Sequence, residues 1–192
     1  MNVKMLFIRF LVPLLIPLSI GVQASGTADS PDCQKVASAF LAHPSKYTFT
    51  ELMAVGEQNC WAFFGSSNSN LQRLTNSVGK GDRWAAEYLA GNLRNLDGGN
   101  LEDSLIALGK FSEHGMERFL IFASKGHISK HEFNDALTML PLSLSDDQSA
   151  QLSALKTRRK MVMRVHRNDL LEQKILALKA IDEFISEINS TR

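Results

Sequence analysis

The sequence predicts an all-α protein: an irregular array of about eight or nine short antiparallel helices closed by a long C-terminal helical hairpin. Three observations carry that expectation. Apolar residues recur at spacings of three and four, and no window shows sustained alternation of period two. Ser, Thr, Asp or Asn stands ahead of most of these runs, where a side-chain oxygen can accept the unpaired amides of a first turn. Glycine or proline closes most of them. Such short helices cannot bury their apolar faces alone, so they must stack on one another.

The first 24 residues read as a signal peptide rather than as part of the fold. Lys4 and Arg9 precede an apolar run from Phe10 to Ile20, and Val22-Gln23-Ala24 offers small residues for cleavage after Ala24. The run is about half of the roughly 20 residues a spanning helix requires, and Pro13 and Pro17 interrupt it. No cysteine follows the cleavage point to carry a lipid. The reading is export to the periplasm or beyond the cell, with no transmembrane anchor after cleavage and residues 25–192 as one helical domain.

Ser30 caps the first helix and Pro31 takes its first position, where the missing amide hydrogen costs nothing. Val36, Ala37, Phe40 and Leu41 line one face, and Pro44 ends the run. Thr48 and Glu51 form a capping box with Tyr47 and Leu52 as its staple, and this second helix is expected to reach Cys60. Trp61, Phe63 and Phe64 form an aromatic knot, read as core packing, with an exposed partner anchor as the alternative. Residues 65–70 are a loop by composition, and Leu71, Leu74 and Val78 lead a further helix to Gly79-Lys80-Gly81.

Asp82 then caps a helix carrying Trp84, Ala85, Leu89, Leu93 and Leu96, which Gly98-Gly99 stops. Asn100 opens the next, with Leu101, Leu105, Leu108 and Phe111 on one face and Gly115 as its end. Met116, Phe119, Leu120 and Ala123 make a third piece, ended by Gly126. Ser129 and Glu132 form a capping box, Ile128 and Phe133 its staple, and Pro141 forbids continuation. Ser145 and Gln148 supply another box, ahead of a helix with Ala150, Leu152, Leu155, Val162 and Val165. Asn168 caps the last helix, along which Leu171, Ile175, Leu178, Ile181, Ile185 and Ile188 recur.

Charge and chemistry narrow the function classes. The chain holds 21 Lys and Arg against 20 Asp and Glu; without Lys4 and Arg9, 19 cations face the 20 carboxylates. That balance points to neither nucleic acid nor membrane surface as partner. Cys33 and Cys60, an even pair in an exported chain, are expected to form a disulfide. His127 and His131 stand four apart, but Ser129 is the better cap, so His127 falls outside the helix and no third ligand converges. Neither metal nor cofactor is called for. Gly65-Ser66-Ser67 lacks the strand and second glycine of a nucleophile elbow, and carboxylates such as Glu87, Asp97, Glu102 and Asp103 sit at caps or on polar faces. The reading is not an enzyme, with a cryptic envelope hydrolase as the outlying alternative.

The asymmetric feature is a basic segment: Lys156, Arg158, Arg159, Lys160, Arg164 and Arg167, with His166 among them and no acid between Asp147 and Asp169. It is either a solvated helix surface suited to the helix dipole or a docking surface for an acidic partner or anionic lipid. In size, leader and single staple the chain resembles small periplasmic all-helical immunity proteins, and its stacked helices are loosely similar to HEAT or armadillo arrays. The likeness is one of architecture and assigns no binding residue. It implies a protein partner, such as an exported toxin that an inhibitor or immunity protein would occlude. A cell-envelope adaptor or chaperone-like factor is the second reading.

Overall fold

Polar caps, prolines and glycines divide the described chain, residues 31–65 and 67–190 of a computed structural model, into nine α-helices with no strand among them. These are α1 (Pro31–Ala42), α2 (Lys46–Val55), α3 (Glu57–Gly65), α4 (Asn68–Gly79), α5 (Arg83–Asn92), α6 (Gly98–Ser124), α7 (Lys130–Thr138), α8 (Gln148–Met163) and α9 (Leu171–Ser190). Short 3-10 turns at Leu93–Asn95, Leu142–Leu144 and Asn168–Leu170 join some of them. The all-α expectation is met. The leader reading over residues 1–24 and the cap at Ser30 lie outside the described residues.

Where one local signal stands alone, the helix starts as the sequence predicts. Asp82 Oδ1 accepts from the amides of Trp84 and Ala85 at 2.9 and 2.8 Å. The Ser129 amide donates to Glu132 Oε2 at 2.7 Å while Ser129 Oγ accepts from the Glu132 amide at 3.3 Å, and Ile128 and Phe133 are buried beside this box. Where signals compete, the start moves. Helix α2 begins three residues before the Thr48 box, because Ser45 Oγ accepts from the Thr48 amide at 3.2 Å and Thr48 Oγ1 accepts from the Ser45 amide at 3.1 Å. Asp147, not Ser145, caps α8, accepting from the Ala150 amide at 2.9 Å. Helix α6 starts at Gly98 behind Asp97, so Asn100 is already inside it. Asn168 opens a 3-10 turn ahead of α9 rather than α9 itself.

Two glycines interrupt the helical backbone, one of them where the sequence reading expected continuity. The second helix does not reach Cys60: Gly56, at φ 108°, ends α2 in a backbone region open to glycine, and α3 begins behind it. Gly115 breaks the helical backbone as the sequence predicts, with φ −135° and ψ 47°, so α6 consists of two helical segments that meet at a kink. The Phe111 ring fills the space at that kink, where an added Cβ would lie 2.9 Å from it.

Cys33 and Cys60 form a disulfide between α1 and α3, with Cα atoms 5.2 Å apart and both side chains fully buried. Tyr88 of α5 gathers the aromatic knot around itself, with ring centroids 5.0 Å from Phe64, 5.6 Å from Phe40 and 5.9 Å from Trp61. Trp61 and Phe64 are buried and Phe63 half-buried, so the knot is core rather than a free anchor. Helix α6 is the spine, packing on α4 and α5 to one side and on α7, α8 and α9 to the other. Phe119 stacks on Phe133 of α7 at 5.3 Å, and α8 and α9 form the antiparallel hairpin that closes the array.

Candidate partner-binding surface

Helix α8 buries a stripe at spacings of three, four and three: Leu155, Arg158, Val162 and Val165 just beyond its end. The second member corrects the sequence reading. Arg158 is not part of an exposed surface but is fully buried, in the only gap of an otherwise apolar stripe. Its Nε donates to Glu113 Oε1 of α6 at 3.0 Å. Its Nη1 lies within hydrogen-bond distance of the carbonyls of Ala136, Leu137 and Met139, at 3.2, 2.9 and 2.9 Å. These are the carbonyls that the C-terminus of α7 leaves without helical partners, and a cation there also meets the negative end of its dipole. Burial pushes the guanidinium below its ordinary pKa, and the Glu113 charge and hydrogen bond oppose that push.

Gly109 makes the approach possible. A Cβ on it would run into the Ala136 carbonyl oxygen and lie 2.9 Å from Arg158 Nη1. Lys174 performs the same service one helix later. Its Nζ donates to the carbonyls of Met163 and Val165 at 3.1 and 2.7 Å, satisfying the end of α8.

The other cations divide into paired and unpaired. Arg159 makes a two-pronged contact with Asp182 of α9, from Nε at 2.7 Å and Nη2 at 3.2 Å, which raises its pKa through that hydrogen bond first and the Asp182 charge second. Arg167 bonds Asp169 and, at 3.3 Å, Glu117 of α6. Its pKa is raised through those two hydrogen bonds, and the same bond holds the Asp169 carboxyl below its ordinary range. Lys156, Lys160 and Arg164 are exposed, stand four apart on one line of α8, and form no ion pair among the described residues. The six basic residues are therefore not one surface. Three are structural, and three remain turned to solvent.

Beside them lie apolar side chains that the sequence reading placed in the core or left unremarked. Ile175 and Leu171 are 57% and 56% exposed, and Met163 is 48% exposed. The buried stripe of α9 and the turn before it runs through Leu170, Ala177, Ile181 and Ile188, with Lys174 in its gap. This leaves Leu171 and Ile175 one position off the core. The result is an apolar strip at the turn end of the hairpin, near the end of the cation line, the composition of an interface centre with a charged rim.

Elsewhere, His127 stacks against Phe122 at a centroid distance of 6.4 Å, whereas His131 Nε2 lies 3.5 Å from Asp135 Oδ2, so the two imidazoles address different neighbours. No group of three His, Cys, Asp or Glu side chains that could hold a metal occurs among the described residues. No helix among them is long and apolar enough to cross a membrane. Compared with known proteins, the chain matches no family model, no curated protein and no solved structure.

Proposed function

We propose that this is an exported, non-catalytic protein that binds another protein, acting as an inhibitor or immunity protein that occludes an exported toxin or enzyme. The observation that supports this reading is the outer face of α8 and the turn end of the α8–α9 hairpin. There Lys156, Lys160 and Arg164 are exposed and form no ion pair among the described residues, and Met163, Leu171 and Ile175 are exposed around the turn. Exposed apolar area of this kind costs solubility unless a partner covers it, and unpaired cations speed and orient encounter with an acidic surface. The bridged cysteines suit an oxidising compartment, which agrees with the leader read over residues 1–24.

The test uses the partner captured by cross-linking from periplasmic extract, titrated calorimetrically against wild type and the K156E/K160E/R164E variant. The variant should fold normally, since solvent-facing changes move stability by only about 0.5 kcal/mol each. It should bind about tenfold or more weakly, and wild-type affinity should fall as salt rises, exposed charges being screened over roughly 8–10 Å. Equal affinity for wild type and the folded variant would remove this face from the interface. A partner that is bound but keeps full activity would make the protein an adaptor rather than an inhibitor.

A further inference from the structure

We infer that a groove between the kink of α6 and the end of α8 receives an acidic peptide segment of the partner, an apolar side chain against its apolar lining and carboxylates on its arginines. This deepens the protein-binding reading and rests on it. The groove encloses about 490 Å³, within the range of pockets that hold several side chains rather than a single ion. Its lining combines apolar Ile121, Met161 and Val165 with Arg118, Arg164 and Arg167. Met161, with its adaptable thioether, suits a lining that must accept more than one apolar shape.

The electrostatics select the occupant. Neither Arg118 nor Arg164 forms an ion pair among the described residues. Glu117 is the one carboxylate lining the groove, and Arg167 already engages it at 3.3 Å. The non-helical backbone at Gly115 restarts the helix at Met116, so the positive end of the restarted segment's dipole lies at the groove. Two guanidiniums without carboxylate partners, which can grip carboxylates in a two-pronged fork, therefore line the groove together with apolar side chains, Arg164 lying against Met161 Sδ at 3.7 Å. A free anion would engage the guanidiniums and leave the apolar lining uncovered. A chain segment with an apolar residue flanked by Asp or Glu satisfies both features.

The experiment is fluorescence anisotropy of a labelled Asp-Glu-Leu-Glu-Asp peptide with the full-length protein, beside its Asn-Gln-Leu-Gln-Asn counterpart and phosphatidylglycerol vesicles. Wild type should bind the acidic peptide, with the amide counterpart weaker by about tenfold or more. R118E and R164E should each lose about tenfold or more, as truncated charge pairs do, and I121S should weaken binding too. K35E, on exposed α1, should change nothing, which separates the groove from general charge. Melting curves establish that each variant is folded. No binding by wild type, equal loss in K35E and R118E, or binding of vesicles alone would overturn the inference. The two proposals fail separately. If R118E keeps full affinity for the captured partner while K156E/K160E/R164E loses it, the groove is rejected and the protein-binding reading stands.

Discussion

Replacing Arg158 by alanine should be among the most damaging single changes in this chain, although five cationic neighbours in sequence look equivalent to it. Removing the guanidinium deprives Glu113 of its partner and takes the donor from the three carbonyls that end α7. Breaking a buried ion pair costs about 3–5 kcal/mol, and each orphaned carbonyl would add about 1–3 kcal/mol if it stayed dry. Two features remove most of the carbonyl contribution and hold the total near the cost of the ion pair itself. The Glu113 side chain is 27% exposed and can recover some hydration. A cavity of about 200 Å³ beside Arg158, Glu113, Pro141 and Leu144 gives water a route to the carbonyls. The expected loss is about 4 kcal/mol, equivalent to a fall in Tm of roughly 8–16 °C for a domain of this size. Arg158→Lys keeps the charge but not the fork and should recover only part of it. Urea and thermal melting by circular dichroism read these values, with Arg159→Ala, which breaks only an exposed pair, as a reference that should melt close to wild type. A cycle pairing Arg158→Ala with Glu113→Gln should show coupling of about 0.5–3 kcal/mol. If Arg158→Ala melts within about 0.5 kcal/mol of wild type, the guanidinium is a surface group and the reasoning fails.

Two further outcomes follow from the packing. Gly109→Ala should destabilise by about 1–3 kcal/mol in urea melting, because the new methyl must displace either the Ala136 carbonyl or the Arg158 guanidinium, and neither is the loose end of a flexible side chain. Unchanged stability would show that α6 and α7 can part freely. Paired substitution of Cys33 and Cys60 by serine should lower stability by about 3.5 kcal/mol, the chain-entropy value for a bridge spanning 27 positions. Native alkylation with mass measurement checks the bridge itself, and two freely reacting thiols would refute it.

Much of the architecture was legible because its causes are local. Asp82 and Ser129 each offer a side-chain oxygen two or three residues ahead of amides that have no other acceptor, so the helix starts are written in adjacent letters. The disulfide was readable from the even cysteine count together with the expectation of export, and the buried aromatic knot from its apolar area. Starts went astray where neighbouring residues compete for the same role, as Ser45 does with Thr48 and Asp147 with Ser145. The choice there depends on where the preceding segment stops. The break at Gly115 was legible, but the stacking of Phe111 on Phe122 at 5.9 Å across that point, which holds the two segments together, was not.

The candidate surface was legible only in part. Spacing alone places Arg158 in line with Leu155, Val162 and Val165, a signal available in the sequence, but a charge in such a line ordinarily marks the edge of a face. What buries it is the end of α7, twenty residues away, presenting carbonyls that need a donor. The same holds for Lys174, whose reach to the end of α8 draws its line of α9 inward and turns Leu171 and Ile175 out. Two lines of similar apolar content, offset by one residue, are nearly equal in burial energy. The polar groups decide between them, because leaving helix-end carbonyls dry and unpaired costs more than exposing two aliphatic side chains. By itself the sequence determined helix, cap and bridge, whose partners lie within a few residues or in the solvent's redox state. Tertiary structure alone decided which cations are spent inside the fold and which face outward, since that depends on where distant helices end.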